Sequence, residues 1–427
     1  MLRIVYSLSF RLALPLLLVK LWWSGRKNPG LRADWPQRLG YAPISSEPVI
    51  WVHAVSVGET IAAAPLVKAL LERHPRSPVL MTAMTMTGTN RARALFGSRV
   101  RYAFSPYDTP GSVKRFLNRV RPAALVIMET ELWPNMISLA GARGIPIVLV
   151  NARLSARSAR GYRRINSLVR PLLHNISWIA AQAADDARRF LDIGARPQTV
   201  SVTGSIKFDV QISPQLQAAA AELRAQPGFV RPIWIAASTH AGEDQYILAA
   251  HRKVLESYPQ TLLILVPRHP ERFEPVAEEV RARALTCARR SLQESPDGAQ
   301  VYLADTMGEL MLLFGASDIA FIGGSLIERG GHNPLEAAAW GIPIISGPHV
   351  FNFATIYDTL AAGHALATVA DTGELAQEVL VLLADAGRRA ETGANALAVV
   401  AANRGALEEV LAGLNQYLPE DSPVAAG

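Results

Sequence analysis

A single cysteine, Cys287, stands among the 427 residues, which leaves no pair for an internal disulfide and no cysteine set for zinc, and which fits a reducing compartment. No run of basic residues interleaved with aromatics appears. The surplus of 43 Lys and Arg over 36 Asp and Glu therefore points to anionic surfaces, such as phospholipid head groups or phosphorylated substrates, rather than to nucleic acid. Only 19% of the chain is charged and half is apolar, which excludes any large disordered region. Short repeats and low-complexity tracts are missing. So are the Walker loop, which would require Gly-Lys-Ser/Thr, and the dinucleotide fingerprint.

What is present exceeds one hydrophobic core, and the length predicts two domains and an appendage. The appendage is the amino terminus. Ile4 to Trp23 is largely apolar, interrupted by Arg11 and Lys20 and followed by Arg26, Lys27, Arg32 and Arg38. Residues 1–24 read as a membrane anchor, since no small-residue cleavage site follows the apolar stretch. Arg11 at a helix centre would cost roughly 2.5–3.5 kcal/mol on insertion, so spanning and interfacial insertion both remain open. In either arrangement the basic flank after Trp23 places the body of the protein in the cytoplasm.

From Pro48 onward short apolar runs alternate with longer amphipathic stretches, the pattern of βα units around parallel sheets. Strands are expected at Val49 to Ala54, Val79 to Ala83, Ala124 to Met128, Ile145 to Val150, Trp178 to Ala181 and Val200 to Thr203. After a polar, helical stretch from Pro214 to Pro232, a second series is expected at Ile233 to Ala237, Leu262 to Val266, Val301 to Ala304, Ile319 to Ile322 and Ile342 to Ser346. The implied fold class is α/β, with two doubly wound Rossmann-like domains, 25–211 and 212–427, the second ending in helices. Ligands are expected at the carboxyl ends of strands, in a cleft between the two.

The strand ends carry the candidate chemistry. Glu59, in His53 to Thr60, falls in the first turn of a helix after a strand. An acid there complements the helix dipole, and in a cleft it can also take a proton from an acceptor hydroxyl. Glu129 closes another strand, in Met128 to Asn135, and can tune the first acid by like-charge proximity. Glu131 competes for that role but lies further from the strand end. Lys207, in Thr203 to Asp209, is carried by a glycine turn to the domain junction, where a cation can meet a departing phosphate or a substrate carboxylate. Arg153, Arg157 and Arg160 either add to a basic acceptor surface or are helix-surface charges.

In the second half, prolines on both sides restrain Arg268 and His269 in a strand-end loop suited to a phosphate or nucleobase. No second histidine at i+4 and no clustered carboxylates mark His269 as a metal ligand. Asp305 to Leu310, containing Met307, Gly308 and Glu309, either offers backbone groups to a base or caps a helix. Gly323 to Glu336 is dense in glycine and ends in Asn333, Pro334, Leu335 and Glu336 at a helix start. That arrangement welcomes a nucleotide phosphate, with Glu336 on ribose hydroxyls, although Asn333 and Glu336 also satisfy a capping box unaided.

The blocks His53 to Glu59, Glu129 to Asn135, Asn151 to Ser155, Thr203 to Asp209, Ser238 to His240, Pro267 to Pro270, Met307 to Glu309 and Gly330 to Glu336 resemble those of the bacterial 3-deoxy-D-manno-octulosonic acid (Kdo) transferases, in the same order over almost the whole chain. Residues 284–298 and the last ten carry no such pattern. The resemblance implies a GT-B glycosyltransferase that uses CMP-Kdo as donor and a lipid A precursor as acceptor. It implies work at the cytoplasmic face of the inner membrane with no cofactor and no metal, by an inverting reaction in lipopolysaccharide biosynthesis. It further implies that 25–211 binds the acceptor and 212–427 the CMP-sugar. Glu59 becomes the general base, Glu129 and Lys207 assist the transition state, and Arg268, His269, Met307 to Glu309 and Asn333 to Glu336 line the CMP site.

Overall fold

The computed structural model describes residues 2–26, 32 and 34–419. The chain divides into two compact units, Met1–Asp209 with Arg404–Gly427, and Val210–Asn403. Among its described residues unit 1 contains seven strands: β1 (Val49–His53), β2 (Val79–Ala83), β3 (Arg101–Phe104), β4 (Pro122–Met128), β5 (Ile147–Ala152), β6 (Trp178–Ala181) and β7 (Val200–Val202). They form one parallel sheet in the order β3-β2-β1-β4-β5-β6-β7. Every residue of β1 and β2 is buried, because helices cover both faces of the sheet. Alternation divides the side chains between two cores. Trp51 packs with Phe116, Leu125 and Ile127 on one face, while Ile50 and Val52 pack with Leu66, Val67 and Leu70 on the other.

Unit 2 repeats the plan with β8 (Ile233–Thr239), β9 (Leu262–Pro267), β10 (Cys287–Arg289), β11 (Val301–Leu303), β12 (Ile319–Ile322), β13 (Ile344–Ser346) and β14 (Leu366–Thr368). Its order is β10-β11-β9-β8-β12-β13-β14, again parallel. In each sheet the first strand lies between neighbours that lead the chain in opposite directions, β2 and β4 around β1, β9 and β12 around β8. The crevice outside the carboxyl ends at such a reversal is where open α/β sheets bind ligands.

The central strands lie within a few residues of their expected positions. Three strands that the hydrophobic pattern did not predict, β3, β10 and β14, are all at sheet edges. An edge strand needs no continuous apolar run, and β3 opens on an exposed Arg101 while β10 and β14 have three residues each.

One boundary differs from the expectation of 212–427 as a continuous second domain. The last helix, Ala406–Asn415, belongs to unit 1. Its stripe of Ala406, Val410, Leu411 and Leu414 joins the core containing Ile50, Val67 and Trp178. Burying each of the Val and Leu side chains contributes roughly 1.5–3 kcal/mol. Asp209 fixes the start of this helix, its carboxylate accepting from the N–H of Gly405 and of Leu407, both at 2.7 Å.

The amino-terminal helix runs from Leu2 to Ser24 with Pro15 inside, and its apolar residues are mostly bare, with Leu12 and Leu16 79% and 73% exposed. Among the described residues it is the one helix long and apolar enough to cross a membrane. Its first turns are tied to unit 1 by polar contacts. Ser7 Oγ lies 3.0 Å from Asn135 Oδ1, and the Tyr6 hydroxyl bonds Asp108. Burial pushes the Asp108 carboxyl up to about 6, opposed by the N–H groups of Asn135 and Met136 and by Tyr6.

The basic flank separates into parts. The guanidinium groups of Arg26 and Arg32 both sit 4.8 Å from the Trp22 ring. Lys27 lies outside the described residues. Arg38, expected among the surface cations of the flank, is instead buried at 3% exposure over the Phe104 ring, where the cation is held by the quadrupole of the aromatic face.

Candidate active site

In unit 1, β1 runs into a tight turn and the helix Val57–Ala62. Ser56 caps that helix, its Oγ accepting from the Glu59 N–H at 3.3 Å. The Glu59 carboxylate folds back on the same turn, with Oε2 accepting from the Val55 N–H and Oε1 from the Ser56 hydroxyl, each at 2.8 Å. The Ser-x-x-Glu spacing of a capping box foretells this pairing, although sequence reasoning did not single out Ser56. The two bonds fix the carboxylate's position without exhausting its lone pairs. Burial pushes Glu59 up to about 7; its two hydrogen bonds pull it down, and the charges of Glu131 and Glu129 add to the rise.

Glu129 follows β4, the strand beside β1, with φ at +56°. A non-glycine residue in the left-handed region costs of order 1–3 kcal/mol and persists only where its surroundings enforce it. Here the Glu129 N–H is held by Val150 O at 3.0 Å, and its Oε1 accepts from Lys207 Nζ at 2.9 Å. Lys207 lies on the short turn Ile206–Phe208. Asn151, itself at φ +55°, steadies that turn from the end of β5, its Oδ1 accepting from Ser205 Oγ at 3.2 Å and the Ile206 N–H at 3.3 Å. Glu131 is occupied differently: its Oε2 accepts from Trp133 Nε1 at 2.5 Å, and burial raises its carboxyl. The structure thus brings Glu59, Glu129 and Lys207 to the reversal point of the first sheet, with Glu131 near enough to act on Glu59 electrostatically. His53, at the end of β1, is fully buried, bonded through Nδ1 to Thr82 Oγ1 at 2.9 Å and held near 4 by loss of solvation, hence neutral.

In unit 2, Arg268 and His269 follow β9, as expected. Two residues that sequence reasoning gave no role join them: His240 after β8 and His332 in the loop after β12. The His240 ring is 5.4 Å from the His269 ring and 5.0 Å from that of His332, the latter pair stacked. β9, β8 and β12 are neighbours, so three chain segments far apart in sequence meet at one end of the sheet. Only the sheet order gathers them. Glu243, fully buried, holds the floor: its carboxylate accepts from the N–H groups of His240, Gly324, Ser325 and Leu326 at 2.7–3.3 Å. Gly324 has φ +69°, and a Cβ there would stand 3.3 Å from His332 and 3.4 Å from His240.

The remaining candidates are placed less uniformly. Met307 is 58% exposed and Gly308 has φ +90°, in the loop after β11, one strand further out than Arg268. Glu309 is bound by Arg290 at 2.5 and 2.7 Å and by Thr306 Oγ1. Asp305 does not cap the helix that follows; it accepts from Ser291 and from Arg289 Nε. The capping box expected of Asn333 and Glu336 is shifted, since Asn333 Oδ1 accepts from the Leu335 N–H at 3.1 Å and Pro334 occupies the cap of a five-residue helix, Leu335–Ala339. Pro334 and Leu335 are buried and Glu336, four residues after His332, is half-buried.

Known proteins share this chain's sequence over nearly its full length. A family model described as 3-deoxy-D-manno-octulosonic-acid transferase (kdotransferase) matches residues 33–210. The 3-deoxy-D-manno-octulosonic acid transferase of Haemophilus influenzae is 42% identical over 421 residues, covering 97% of this chain and 99% of the relative. The protein of the same name from Bordetella pertussis is 40% identical over 442 residues, with the same coverages. Among solved structures, the UDP-GlcNAc 2-epimerase of Neisseria meningitidis bound to UDP-GlcNAc superposes with a TM-score of 0.57 at 15% identity, covering 87% of this chain and all of that one. At that identity the likeness speaks for the fold alone, an α/β fold of the GT-B class.

Proposed function

The chain belongs to the 3-deoxy-D-manno-octulosonic acid transferase family and is a glycosyltransferase, and we propose that it transfers Kdo from CMP-Kdo to a lipid A precursor, with inversion and without a metal ion. The observation that carries the mechanism is Glu59, a carboxylate fixed by two hydrogen bonds at a sheet reversal and raised to about 7 by burial. A general base works best with a pKa near the working pH. Glu59 takes the proton of an acceptor sugar hydroxyl as its oxygen attacks the anomeric carbon of Kdo. Direct displacement inverts that carbon, passing through an oxocarbenium-like transition state. The Lys207–Glu129 pair supplies fixed charge for that transition state, and the departing CMP is held by unit 2.

Several features support the rest of the reading. Arg268 and Arg329 bring positive charge to the end of the second sheet, where a leaving phosphate needs it. Arg268, His269, Met307 to Glu309 and Asn333 to Glu336 are assigned to the CMP site on the strength of the matching blocks. The bare apolar helix Leu2–Ser24, tied to unit 1, would keep that unit beside acyl chains at the cytoplasmic face of the inner membrane.

Donor and metal are tested together. Turnover is expected to persist in EDTA, and CMP is expected to bind in calorimetry under conditions where UDP does not. Activity lost in EDTA and restored by magnesium would contradict metal independence. Equal binding of UDP would contradict a cytidine donor.

A further inference from the structure

The Nε2 atoms of His240 and His332 are 2.8 Å apart, with the rings inclined by only 8°. Two imidazole nitrogens at that distance share one proton, so one ring donates through Nε2–H and the other accepts, carrying its own hydrogen on Nδ1. The donating ring keeps a bare Nδ1. A proton added there turns it into an imidazolium while preserving, and strengthening, the Nε2–H···Nε2 bond. The pair is therefore built to gain one charge without rearranging.

The surroundings are basic. His269, Arg329, Arg272 and Arg268 act on His240, and Arg268 and His269 on His332. The nearby carboxylates are engaged: Glu243 is spent on four backbone N–H groups, and Asp244 on Arg272 and Thr239 Oγ1. The Tyr357 hydroxyl donates to the His332 backbone oxygen, at 2.9 Å. Burial, then these basic neighbours, hold His240 down to about 4 and His332 down to about 3, so the pair is neutral in the free protein.

We propose that His240 and His332 act as a proton-accepting dyad that takes one proton from solvent as the phosphate of the departing nucleotide gains its second negative charge. The inference rests on the reading of unit 2 as the nucleotide site. A sugar joined to a nucleoside monophosphate is a phosphodiester with one negative charge. When the bond between the anomeric carbon and oxygen breaks, its electron pair stays on the phosphate oxygen and leaves a monoester dianion. The acceptor's proton goes to Glu59, and the dyad's proton comes from water and returns there when the nucleotide leaves. Arginines carry a constant charge suited to the monoanion, whereas the dyad adds charge in step with the leaving group.

The test is calorimetric titration of CMP into the full-length enzyme in two buffers of different ionisation enthalpy, near pH 6 and near pH 8, with His240→Asn and His332→Asn alongside. The wild type should take up more protons per bound CMP than either variant near pH 6. Each variant should lose about tenfold in CMP affinity there, where protons are plentiful enough for the bound phosphate to charge the dyad, and less near pH 8. The phosphate's own ionisation, at about 6, contributes equally to all three proteins and cancels in the comparison. Equal proton counts in wild type and variants overturn the dyad while leaving the nucleotide site intact. No CMP binding by the wild type overturns that site and the dyad with it. Melting curves confirm that the variants fold, and His240→Gln and His332→Gln replace any that do not.

Discussion

Glu59→Gln is expected to lower the rate of transfer by about 100- to 10,000-fold, the range over which general bases contribute, while CMP affinity changes little. The amide keeps one acceptor, for Val55 N–H or the Ser56 hydroxyl, and removes the negative charge and the capacity to take a proton. CMP binding is assigned to residues of unit 2, and Glu59 belongs to unit 1. The wild-type pH profile carries the same information. A carboxylate raised to about 7 is protonated and inactive below that value and ionised above it, so kcat/KM should climb with pH and level off above about 7. The variant's residual activity should lack this rise. Steady-state assays across pH, with calorimetry at one pH, check both. Near-normal turnover in the variant would remove Glu59 from the mechanism.

The second large effect concerns Lys207. Its ammonium is 2.9 Å from Glu129, and both side chains are mostly withdrawn from water, at 19% and 26% exposure. Lys207→Met removes the ammonium from beside the Glu129 carboxylate, and Glu129→Gln removes the carboxylate's charge from beside the ammonium. Each is expected to reduce kcat by about 100- to 1,000-fold, the scale on which preorganised charges in active sites act. The two should not add. Groups that act as a unit lose most of their value when either is removed, so the double variant should fall close to the worse single one. A double-mutant cycle on kcat decides this, and additive losses would show that the pair does not work as one device. A pair that served only to hold the loop would lower the melting temperature and leave kcat intact.

How much of this could be read from the chain depends on distance along it. The central strands were legible because both of their faces are covered, which writes a continuous apolar run into the sequence. The edges β3, β10 and β14 leave no such run. Glu59 and Glu129 were legible as acids at strand ends, and the pairing of Glu59 with Ser56 is local enough for a spacing rule to find. The contact of Glu129 with Lys207 spans 78 residues and that of His240 with His332 spans 92, so no local pattern announces either. Strand order makes those contacts, and strand order is settled by the packing of whole units. Arg38 and the last helix illustrate the same limit. A basic residue in a basic stretch looks like surface until Phe104 is placed beneath it, and a carboxyl-terminal helix looks like part of the domain that precedes it until its apolar stripe meets Trp178 and Ile50.

The most direct measurement is mass spectrometry of a lipid A precursor after incubation with CMP-Kdo and the purified full-length protein in detergent, beside a Glu59→Gln control. The account predicts an acceptor heavier by one or more Kdo residues, formed equally with and without EDTA, and almost none from the control. An unmodified acceptor with the folded wild-type protein, or a modified one that appears only with a uridine-linked donor, would contradict it.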